Sequence, residues 1–464
     1  MEKIHSPYFL IIGLGASGVS MAKFLRSKGK KVIATDLDES KTKIADELSK
    51  SGVKTQIGFH DQTIFNQAKV MIPSPGVPLN NKFIKTALSN GVALTCELDI
   101  FTKYNKLPII AITGTNGKTT VTTLIGDIIK QSSMTPFVGG NIGIPLIEHL
   151  MSKKKADIIV AEISSFQLDI SKNFKPDVGV LLNISQDHLD RYENFQEYIN
   201  SKWSIFKNQT SSDTAVINQS IHKFDEISQT LKSKLISFSS NKIMLTRKNR
   251  LDKCYAKIAS NSITIKTRKH NHEISTDNLK ELSGTHNREN IAAAALSCLS
   301  AGVEFNDIIK GINTFKNLSH RVEFIKTIQG VSFYNDSKAT NTDAVIRAIE
   351  CFKNNIILIL GGREKGTDFS ELISHIKKSV KSIIALGETS RIIKNTFEQI
   401  CPVKIVQTMK DGVQAAFSAA LKNDIVLLSP ACASFDMYDS YAHRGEDFIN
   451  CVKDLKTKKW QTDK

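Results

Sequence analysis

The segment that most constrains the fold runs from Ile110 to Thr120 and reads IAITGTNGKTT. A short apolar strand leads here into a glycine-rich turn, and a lysine and two threonines begin the helix that follows. Backbone N–H groups of such a turn and of a helix N-terminus point towards an anion, Lys118 can reach a terminal phosphate, and the Thr119 hydroxyl can hold Mg²⁺. The segment therefore predicts an ATP site in an α/β domain.

This loop is shorter than the usual phosphate-binding loop, because only two residues separate its first glycine from the Gly-Lys pair. A plain strand–turn–helix would explain the two glycines, but it would not explain the Gly-Lys-Thr-Thr run. The candidate ATP-contacting residues of the loop are Gly114, Thr115, Asn116, Gly117, Lys118, Thr119 and Thr120.

The length of 464 residues exceeds the size at which one hydrophobic core keeps growing, so several domains are expected. Short apolar runs alternate with helix-like stretches along the chain, which is typical of mostly parallel sheets with flanking helices. We predict three α/β domains, over residues 1–106, 107–316 and 317–464. The first is expected to be Rossmann-like, the central one like a P-loop ATPase, and the C-terminal one Rossmann-like.

The composition excludes several classes of partner. The net charge is +16, but the basic residues are spread along the chain and are not interleaved with aromatic residues, so nucleic acid is not expected to bind. Part of the positive field can serve anionic substrates. The apolar runs are too short to span a bilayer and no secretory signal begins the chain, so a cytoplasmic protein is expected. Seven scattered cysteines without a Cys-x-x-Cys pair are expected to be free thiols.

The first segment carries a second glycine-rich turn. A strand at residues 8–12 runs into GLGASG, from Gly13 to Gly18, and the next strand ends at Asp36. An acidic residue there fits a ribose contact, which favours a dinucleotide. The pattern ends early, however, and leaves a nucleotide-binding domain of reduced size. A purely structural tight turn is the alternative for the glycines, and the rigid turn at residues 73–78 is either architectural or ligand-facing.

The central segment is predicted to place charged side chains beside the phosphate loop. Small antiparallel strands on a sheet edge are expected between residues 233 and 281. Glu162 ends a predicted strand, where a carboxylate can coordinate Mg²⁺ or cap the next helix. His188 can be a second metal ligand or an ordinary hydrogen-bonded loop residue. The main strands are expected at residues 109–112, 157–163 and 178–182.

Two polar residues near the end of the central segment are candidates for nucleotide contacts. Asn290 is predicted at a helix N-terminus, where it can hydrogen-bond a purine edge, although capping alone would explain Asn287 about as well. Arg321 precedes the first predicted strand of the third domain, at residues 331–334. It can reach a phosphate bidentately or form a surface salt bridge.

Three loops of the third domain carry polar side chains beyond predicted strand ends. Ligands of open parallel sheets bind beyond the carboxyl ends of the strands, so the loops predict one site for an acidic ligand. The donors suit a carboxylate and the aspartate suits a ribose, whereas a structural turn is the alternative for each loop taken alone. The candidates are Asp336, Lys338, Thr340, Lys365 and Ser434.

Six motifs together resemble the Mur ligase family of ATP-dependent amide-forming enzymes, and they cover the three predicted domains in order. They are TGTNGKTT from Thr113, EISSFQL from Glu162, DHLDRY from Asp187, GTHNREN from Gly284, HRVE from His320 and SPACAS from Ser429. Within that family, the run NDSKATN from Asn335 is similar to members that add D-glutamate.

The resemblance implies a reaction in peptidoglycan synthesis. The carboxylate of UDP-N-acetylmuramoyl-L-alanine would attack the γ-phosphate of ATP, and D-glutamate would displace the resulting acyl phosphate. Lys118 and two Mg²⁺ ions would neutralise the developing charge. The family also implies a carbamylated Lys202, for which a lysine on a helix surface is the alternative. The implied metal contacts are Thr119, Glu162, His188 and Lys202, and the implied catalytic residues are Lys118, Glu162, His188 and Lys202.

The resemblance also implies contacts with three substrates, carried over residue by residue from the family. A monomer is expected. ATP is expected to contact Asn290, Arg321 and Asp336. The UDP substrate is expected to contact Gly13, Gly15, Ala16, Ser17, Gly18, Thr35, Asp36, Ser74, Gly76, Asn141, Ser164 and Gln167. D-Glutamate is expected to contact Lys338, Thr340, Lys365, Ser434 and Phe435.

Three alternative functions explain only part of these motifs. A folate-extending glutamate ligase shares the short phosphate loop but gives no reason for the N-terminal glycine-rich domain. An NAD-dependent oxidoreductase built on residues 13–18 leaves the phosphate loop unexplained. A nucleotide-binding regulatory protein does not account for the lysine-rich loops of the third domain.

Overall fold

The computed structural model describes residues 7–187, 191–241, 243, 254–268, 270–277, 279, 282, 284–316, 318–352, 354–363 and 366–455. These residues form two compact units. The first unit comprises the chain up to Ile184, Asn194–Asn278 and Arg288–Phe315, and the second comprises Ser185–Glu193, Leu279–Asn287 and the chain from Lys316. Two of the three sheets belong to the first unit and one to the second.

The first sheet has five parallel strands in the order β3-β2-β1-β4-β5. Its strands are β1 (Phe9–Ile12), β2 (Val32–Asp36), β3 (Lys54–Ile57), β4 (Val70–Pro73) and β5 (Ala93–Leu94). The helices are α1 (Ala16–Ser27), α2 (Thr42–Lys50), α3 (Gln62–Asn66), α4 (Lys82–Ser89) and α5 (Glu97–Tyr104), with a 3-10 turn at Glu39–Lys41. The strand order reverses between β1 and β4, so the carboxyl ends of these two strands border the crevice where such sheets bind ligands. A nucleotide-binding domain of reduced size was expected here, and the sheet has that form.

The second sheet has nine strands in the order β14-β13-β12-β11-β10-β9-β6-β8-β7. Its strands are β6 (Ile109–Thr113), β7 (Pro136–Gly140), β8 (Ile158–Glu162), β9 (Val178–Leu181), β10 (Thr214–Asn218), β11 (Lys234–Ser239), β12 (Tyr255–Ile258), β13 (Ser262–Lys266) and β14 (Asn271–Ser275). The α-helices are α6 (Lys118–Ile129), α7 (Leu146–His149), α8 (Ser165–Ile170), α9 (Phe195–Trp203), α10 (Phe224–Thr230), α11 (Thr285–Ser300) and α12 (Phe305–Thr314), and a 3-10 turn spans Ser204–Phe206. Strands β6, β8 and β10 are buried along their whole length, which explains their continuous apolar runs.

The edge of the second sheet differs in part from the expectation of antiparallel strands between residues 233 and 281. Strands β12, β13 and β14 pair antiparallel and confirm that expectation. It is wrong for β11, which pairs in parallel with both β10 and β12 and extends the parallel part of the sheet. The lysines and serines of this segment gave no pattern from which the direction of pairing could be derived.

The sheet of the second unit has six strands in the order β15-β16-β20-β17-β18-β19. The strands are β15 (Glu323–Ile328), β16 (Val331–Asn335), β17 (Ile356–Leu360), β18 (Val380–Leu386), β19 (Val403–Val406) and β20 (Ile425–Leu428). The helices are α13 (Thr342–Ile349), α14 (Ile373–Ser379), α15 (Ser390–Phe397), α16 (Met409–Ala419) and α17 (Tyr441–Lys453), with a 3-10 turn at Phe369–Leu372. Strand β15 is antiparallel to β16, so the expectation that β16 is the first strand after Arg321 is wrong. Strand β15 was not predicted because most of this edge strand is exposed or only half-buried, so its residues lack a continuous apolar run.

Within the first unit, α5 connects the two sheets. Its Leu98 and Phe101 lie in the hydrophobic core beside the second sheet. The Asp99 carboxylate accepts hydrogen bonds from Ser171 Oγ at 2.8 Å and from the two backbone N–H groups that follow.

The predicted domain boundaries at 106/107 and 316/317 stay predictions. None of the helices in the described part of the chain combines the length and the apolar character that a bilayer crossing requires.

Candidate active site

The phosphate loop connects β6 to α6 and depends on its two glycines. Gly114 has a φ of 155° and Gly117 a φ of 83°, which are conformations that other residues rarely adopt. A Cβ atom on Gly117 would also lie 2.5 Å from Asn290 Oδ1. Asn290 is buried in α11, several residues after the helix begins, so its predicted place at the helix N-terminus is wrong. The helix instead brings its amide to the loop.

Asn183, which follows β9, holds the loop from the neighbouring strand end. Its Oδ1 accepts a hydrogen bond from Asn116 N at 2.8 Å, and its Nδ2 donates to Asn116 O at 3.0 Å. Its carbonyl oxygen accepts from Thr115 N at 3.0 Å. Three bonds from one residue fix the short loop in a single shape. Asn183 was not among the predicted site residues, although its position at the carboxyl end of a strand beside β6 was a usable signal.

Two lysines converge on the carbonyl oxygen of Gly114. Lys118 Nζ donates to it at 2.8 Å and also to Thr115 O at 2.7 Å, and Lys202 Nζ donates to it at 2.9 Å. Lys202 is only 2% exposed, so the alternative of a lysine on a helix surface is wrong. Because two ammonium groups share one acceptor, like charges are held together, and an anion bound at the loop would relieve their repulsion.

Tyr198 lies one helical turn before Lys202 and contacts both that lysine and the phosphate loop. Its ring centroid is 4.5 Å from Lys202 Nζ, and its hydroxyl is hydrogen-bonded to Thr115 Oγ1 at 3.1 Å. The ring favours the buried cation electrostatically, while the hydroxyl positions the loop. Tyr198 is a second residue that sequence analysis did not assign.

Glu162 ends β8 beside the phosphate loop and is 2% exposed. Its Oε1 accepts a hydrogen bond from Asn141 Nδ2 at 3.0 Å. Its Oε2, like the hydroxyl of Thr113 on the adjacent strand, is buried and has no hydrogen-bond partner among the described residues. A buried carboxylate oxygen left in this way is costly unless a cation or donor binds there, so these residues fit a divalent metal ion. His188 lies outside the described residues.

Ser164 and Gln167 form the N-terminal cap of α8. Gln167 Oε1 accepts from Ser164 N at 2.9 Å and from Ser164 Oγ at 3.0 Å, and Ser164 Oγ accepts from Gln167 N at 3.3 Å. This reciprocal arrangement explains both residues by helix capping. Their contact with a substrate stays a prediction.

The glycine-rich turn of the first sheet is closed by close backbone contacts. Gly13 has a φ of 91°, and a Cβ atom on Gly18 would lie 2.0 Å from Gly13 O. Ser74 Oγ donates to the same oxygen at 2.9 Å, which joins the ends of β1 and β4. Gly15 precedes α1, and Ala16, Ser17 and Gly18 form its first turn. The turn therefore presents a helix N-terminus at the crevice of this sheet, as an anion site requires.

The end of β2 supports that turn. Asp36 Oδ2 accepts from Leu14 N at 2.6 Å, and Asp36 Oδ1 accepts from Asp38 N at 2.9 Å. The Thr35 side chain is buried, and its hydroxyl is hydrogen-bonded to His60 Nδ1 at 2.9 Å. Asp36 thus has a structural role in addition to any contact with a ligand. Gly76 lies in the turn after β4 with open space around it.

Asp336 is the buried acid at the end of β16. Ser429 Oγ donates to its Oδ2 at 2.7 Å, and Val322 N donates to its Oδ1 at 3.3 Å. Burial raises the pKa of Asp336 to about 7, while the bond from Ser429 and the charge of Arg321 act in the opposite direction. Arg321 therefore lies near this carboxyl, as expected for residues of one site.

Arg444, on α17, joins two of the polar loops of this sheet. It is buried, and its guanidinium donates to Ser337 Oγ at 3.0 Å, Ser337 O at 2.8 Å, Cys432 O at 3.0 Å and Ala433 O at 3.3 Å. The loops after β16 and β20 are thereby held in one arrangement. Arg444 was not among the predicted site residues, because only the fold brings it to Ser337, which lies 107 positions earlier in the chain.

The predicted amino-acid contacts differ in exposure. Lys338 and Thr340 are half-buried, and Lys338 Nζ lies 4.9 Å from the centroid of the Tyr441 ring, a residue that sequence analysis did not assign. Ser434 is buried, whereas Phe435 is 60% exposed. Lys365 lies outside the described residues. The loop after β16 and the start of α17 thus present a cation and an aromatic ring together.

Comparison with known proteins assigns the whole chain to one family. Three family models match in order: "Mur ligase MurD-like, N-terminal domain" at residues 8–96, "Mur ligase middle domain" at 112–298 and "Mur ligase, glutamate ligase domain" at 320–432. The UDP-N-acetylmuramoylalanine–D-glutamate ligase of Desulfosudis oleivorans is 39% identical over 450 residues, which is 96% of each chain. That of Trichlorobacter lovleyi is 38% identical over 448 residues, or 96% of this chain and 98% of the relative.

Solved structures share the fold. The UDP-N-acetylmuramate-alanine ligase MurC of Thermotoga maritima superimposes with a TM-score of 0.60 at 18% identity, covering 97% of this chain and all of that one. The MurF ligase of Thermotoga maritima in complex with ADP gives 0.57 at 16% identity and covers 98% of each chain. The three-domain α/β architecture is thus confirmed, and the oxidoreductase alternative is wrong. The chain belongs to the Mur ligase family of ATP-dependent ligases.

Proposed function

We propose that this protein joins D-glutamate to UDP-N-acetylmuramoyl-L-alanine at the expense of ATP, in the synthesis of peptidoglycan precursors. The observation that carries the proposal is the meeting of Lys118, Lys202 and Glu162 around one phosphate loop, in a chain whose relatives over nearly its full length are named for this ligation. A folate-extending ligase is less well supported, because the N-terminal domain matches the MurD-like model.

The chemistry needs an activated carboxyl group. The L-alanine carboxylate oxygen forms a bond to the γ-phosphorus of ATP, and the bond from that phosphorus to the bridging oxygen breaks, which releases ADP. The amine of D-glutamate then attacks the acyl carbon, the C–O bond to phosphate breaks, and the amine loses a proton. Phosphate is a far better leaving group than hydroxide. Cleavage of ATP therefore drives formation of the amide bond.

The protein's part in the phosphoryl step is positioning and charge neutralisation. Lys118 is tethered at the loop by two carbonyl oxygens, from which its ammonium group can shift to the γ-phosphate. The N-terminus of α6 faces the same point and adds the partial positive charge of a helix dipole. The hydrogen bonds of Asn183 keep the loop in one conformation during phosphoryl transfer.

The residues that would hold Mg²⁺ are Glu162, the Thr119 hydroxyl, His188 for a second ion, and Lys202 in carbamylated form. The buried, unpartnered Oε2 of Glu162 among the described residues supports a metal ion there. A carbamate on Lys202 would replace a buried cation beside Lys118 with oxygen anions, which removes like-charge repulsion. Bound Mg²⁺ supplies Lewis-acid stabilisation of phosphate charge.

We propose that the UDP substrate, ATP and D-glutamate contact three different groups of residues. UDP would lie on the turn from Gly13 to Gly18, with Thr35, Asp36, Ser74 and Gly76, and the muramoyl part near Asn141, Ser164 and Gln167. ATP would contact residues 114–120 with Asn290, Arg321 and Asp336, and D-glutamate would contact Lys338, Thr340, Lys365, Ser434 and Phe435. We further propose a cytoplasmic monomer with domains at 1–106, 107–316 and 317–464.

The decisive experiment is a phosphate-release assay with the full chain. Phosphate should appear from ATP only when UDP-N-acetylmuramoyl-L-alanine and D-glutamate are both present, and the product should carry one added glutamate by mass spectrometry. The same assay is repeated with L-glutamate and with a folate acceptor. Equal turnover with L-glutamate, or turnover with the folate acceptor alone, would reject the proposal.

A further inference from the structure

A buried glutamate at the start of α5 holds α7 in place. Glu97 is 5% exposed, and its Oε1 accepts a hydrogen bond from Ile147 N at 3.1 Å. Its Oε2 is buried and has no hydrogen-bond partner among the described residues. Leaving a buried carboxyl oxygen in this state costs stability, so packing alone does not account for an acid at this position.

Helix α7 contributes to both hydrophobic cores that flank it. Leu146 belongs to the core beside the second sheet, whereas Ile147 belongs to the core beside the first. The carboxylate of the next residue, Glu148, accepts a hydrogen bond from Ser20 on α1. Glu97 and Ser20 thus anchor this short helix from two other helices, and the chain segment that precedes the helix is anchored with it.

The segment before α7 supports the candidate metal ligand. Asn141 N donates to Glu162 O at 2.8 Å, and Asn141 Nδ2 donates to Glu162 Oε1 at 3.0 Å. A hydrogen bond from Gly140 N to Ile144 O at 2.8 Å closes the segment on itself. A Cβ atom on Gly140 would lie 2.4 Å from Glu162 O, so the two backbones are in close contact. The orientation of the Glu162 carboxylate therefore depends on where the segment from Gly140 to Ile147 is held.

Glu97 shares a small cavity with the glycine-rich turn of the first sheet. Glu97, Ser17 and Gln167 are among the residues that line it, and its volume of about 20 Å³ gives room for a single water molecule. Burial raises the pKa of Glu97, whereas the Ile147 N–H and the Ser17 hydroxyl act in the opposite direction. A neutral carboxyl group can accept from Ile147 N with one oxygen and donate to a water molecule with the other. The uncharged form therefore suits the surroundings of this side chain.

We propose that Glu97 is a positioning residue for the metal site, which orients the Glu162 carboxylate through α7 and Asn141. The inference rests on the proposed function, because it needs a divalent cation at Glu162. In this role Glu97 contacts neither the metal ion nor a substrate. It holds Ile147, and the segment between Ile147 and Asn141 carries the constraint to Glu162.

The test measures ADP binding to the full chain by calorimetry, once with Mg²⁺ and once with EDTA. In the wild type, Mg²⁺ should strengthen ADP binding. Glu97→Ala should weaken ADP binding in Mg²⁺ roughly tenfold, the lower end of the range for groups that orient a metal ligand, and should leave the affinity in EDTA within about twofold. Glu97→Gln keeps an uncharged acceptor for Ile147 N and should bind like the wild type in both conditions. Glu47→Ala, at an exposed position of α2, is the matched control.

Asn141→Ala tests the same connection from its other end and decides the outcome if Glu97→Ala does not fold, because Asn141 is exposed. It should weaken ADP binding in Mg²⁺ at least as much as Glu97→Ala. Unchanged binding in Mg²⁺ for either alanine variant would overturn the positioning role and leave the proposed function standing, as would an equal loss in Mg²⁺ and in EDTA. If Mg²⁺ did not strengthen ADP binding to the wild type, the proposed metal site and this inference would both be overturned, whereas the phosphate-release assay tests the ligation itself.

Discussion

Lys202 Nζ donates a hydrogen bond to Gly114 O at 2.9 Å across 88 positions of sequence. The lysine is buried on α9, and its charge lies against the first glycine of the phosphate loop and over the Tyr198 ring. Lys118 Nζ donates to the same carbonyl oxygen, so two ammonium groups meet at one point of the loop, where both would attract a bound anion. This pair is therefore the clearest sign that the loop is built for chemistry as well as for binding.

Lys202→Ala should lower turnover by on the order of 10²–10³, because one preorganised charged group of the site is lost. Phosphate release under saturating substrates measures the effect. Gln196→Ala, at a half-buried position of the same helix, is the matched control and should behave like the wild type. If both variants had wild-type rates, Lys202 would have no part in the reaction.

Lys118→Ala should reduce turnover below detection in the same assay, a loss of at least about 10³-fold, because charge neutralisation is most of what a protein contributes to phosphoryl transfer. Lys130→Ala serves as the control, since that side chain is exposed beyond the other end of α6. Near-normal activity of Lys118→Ala would be incompatible with the assignment of this loop.

Asn183→Leu should raise the KM for ATP and lower the free energy of unfolding by about 1–3 kcal/mol, because it leaves backbone groups of the loop without their partners. Chemical denaturation and initial-rate kinetics measure the two effects. Asn183→Asp keeps the acceptor for Asn116 N but loses the donor to Asn116 O, so it should show an intermediate effect. A variant with an unchanged KM would show that the clamp does not shape the ATP site.

Arg444→Lys should raise the KM for D-glutamate several-fold and leave the KM for ATP much less affected. A lysine cannot reproduce the four hydrogen bonds of the guanidinium, so the loops after β16 and β20 lose their fixed spacing. Arg347→Lys, which alters a partly exposed pair with Asp343, is the control. Equal changes in the KM values of both substrates would indicate a general loss of structure instead.

Asp336 should make the stability of the protein depend on pH. Burial raises its pKa from 3.8 to about 7 in the folded state, so the folded protein holds a proton that the unfolded chain releases. Stability from this group is therefore fully present below about pH 4 and is lost as the pH rises through about 7, by roughly 4 kcal/mol at most. Asp336→Asn removes this titration.

The measurement is the melting temperature of both proteins between pH 5 and pH 8. Relative to Asp336→Asn, the wild type should lose stability as the pH rises through this window, whatever the absolute difference between them. Parallel curves would mean that Asp336 is already ionised in the folded protein at pH 5.

Local patterns predicted much of the fold correctly. The strands β6, β8 and β9 lie within about one residue of their predicted bounds, because each is a short, continuous apolar run that both faces of a parallel sheet bury. Strand β15 escaped prediction, since an edge strand with one exposed side carries too few apolar residues. The parallel pairing of β11 could not be derived from its local sequence pattern either, because the other strands of the sheet determine its partners.

The sequence by itself determined the phosphate loop, the glycine turn of the first domain and the family, because these depend on residue types at fixed local spacing. Only the tertiary structure decided that Lys202 is buried against Gly114, that Asn183 clamps Asn116 across 67 positions, and that Arg444 ties Ser337 to Cys432. The reason is that such contacts join strand ends and helices that are distant in the chain. Their distances follow from how the sheets are ordered, and no local pattern of residues records that order.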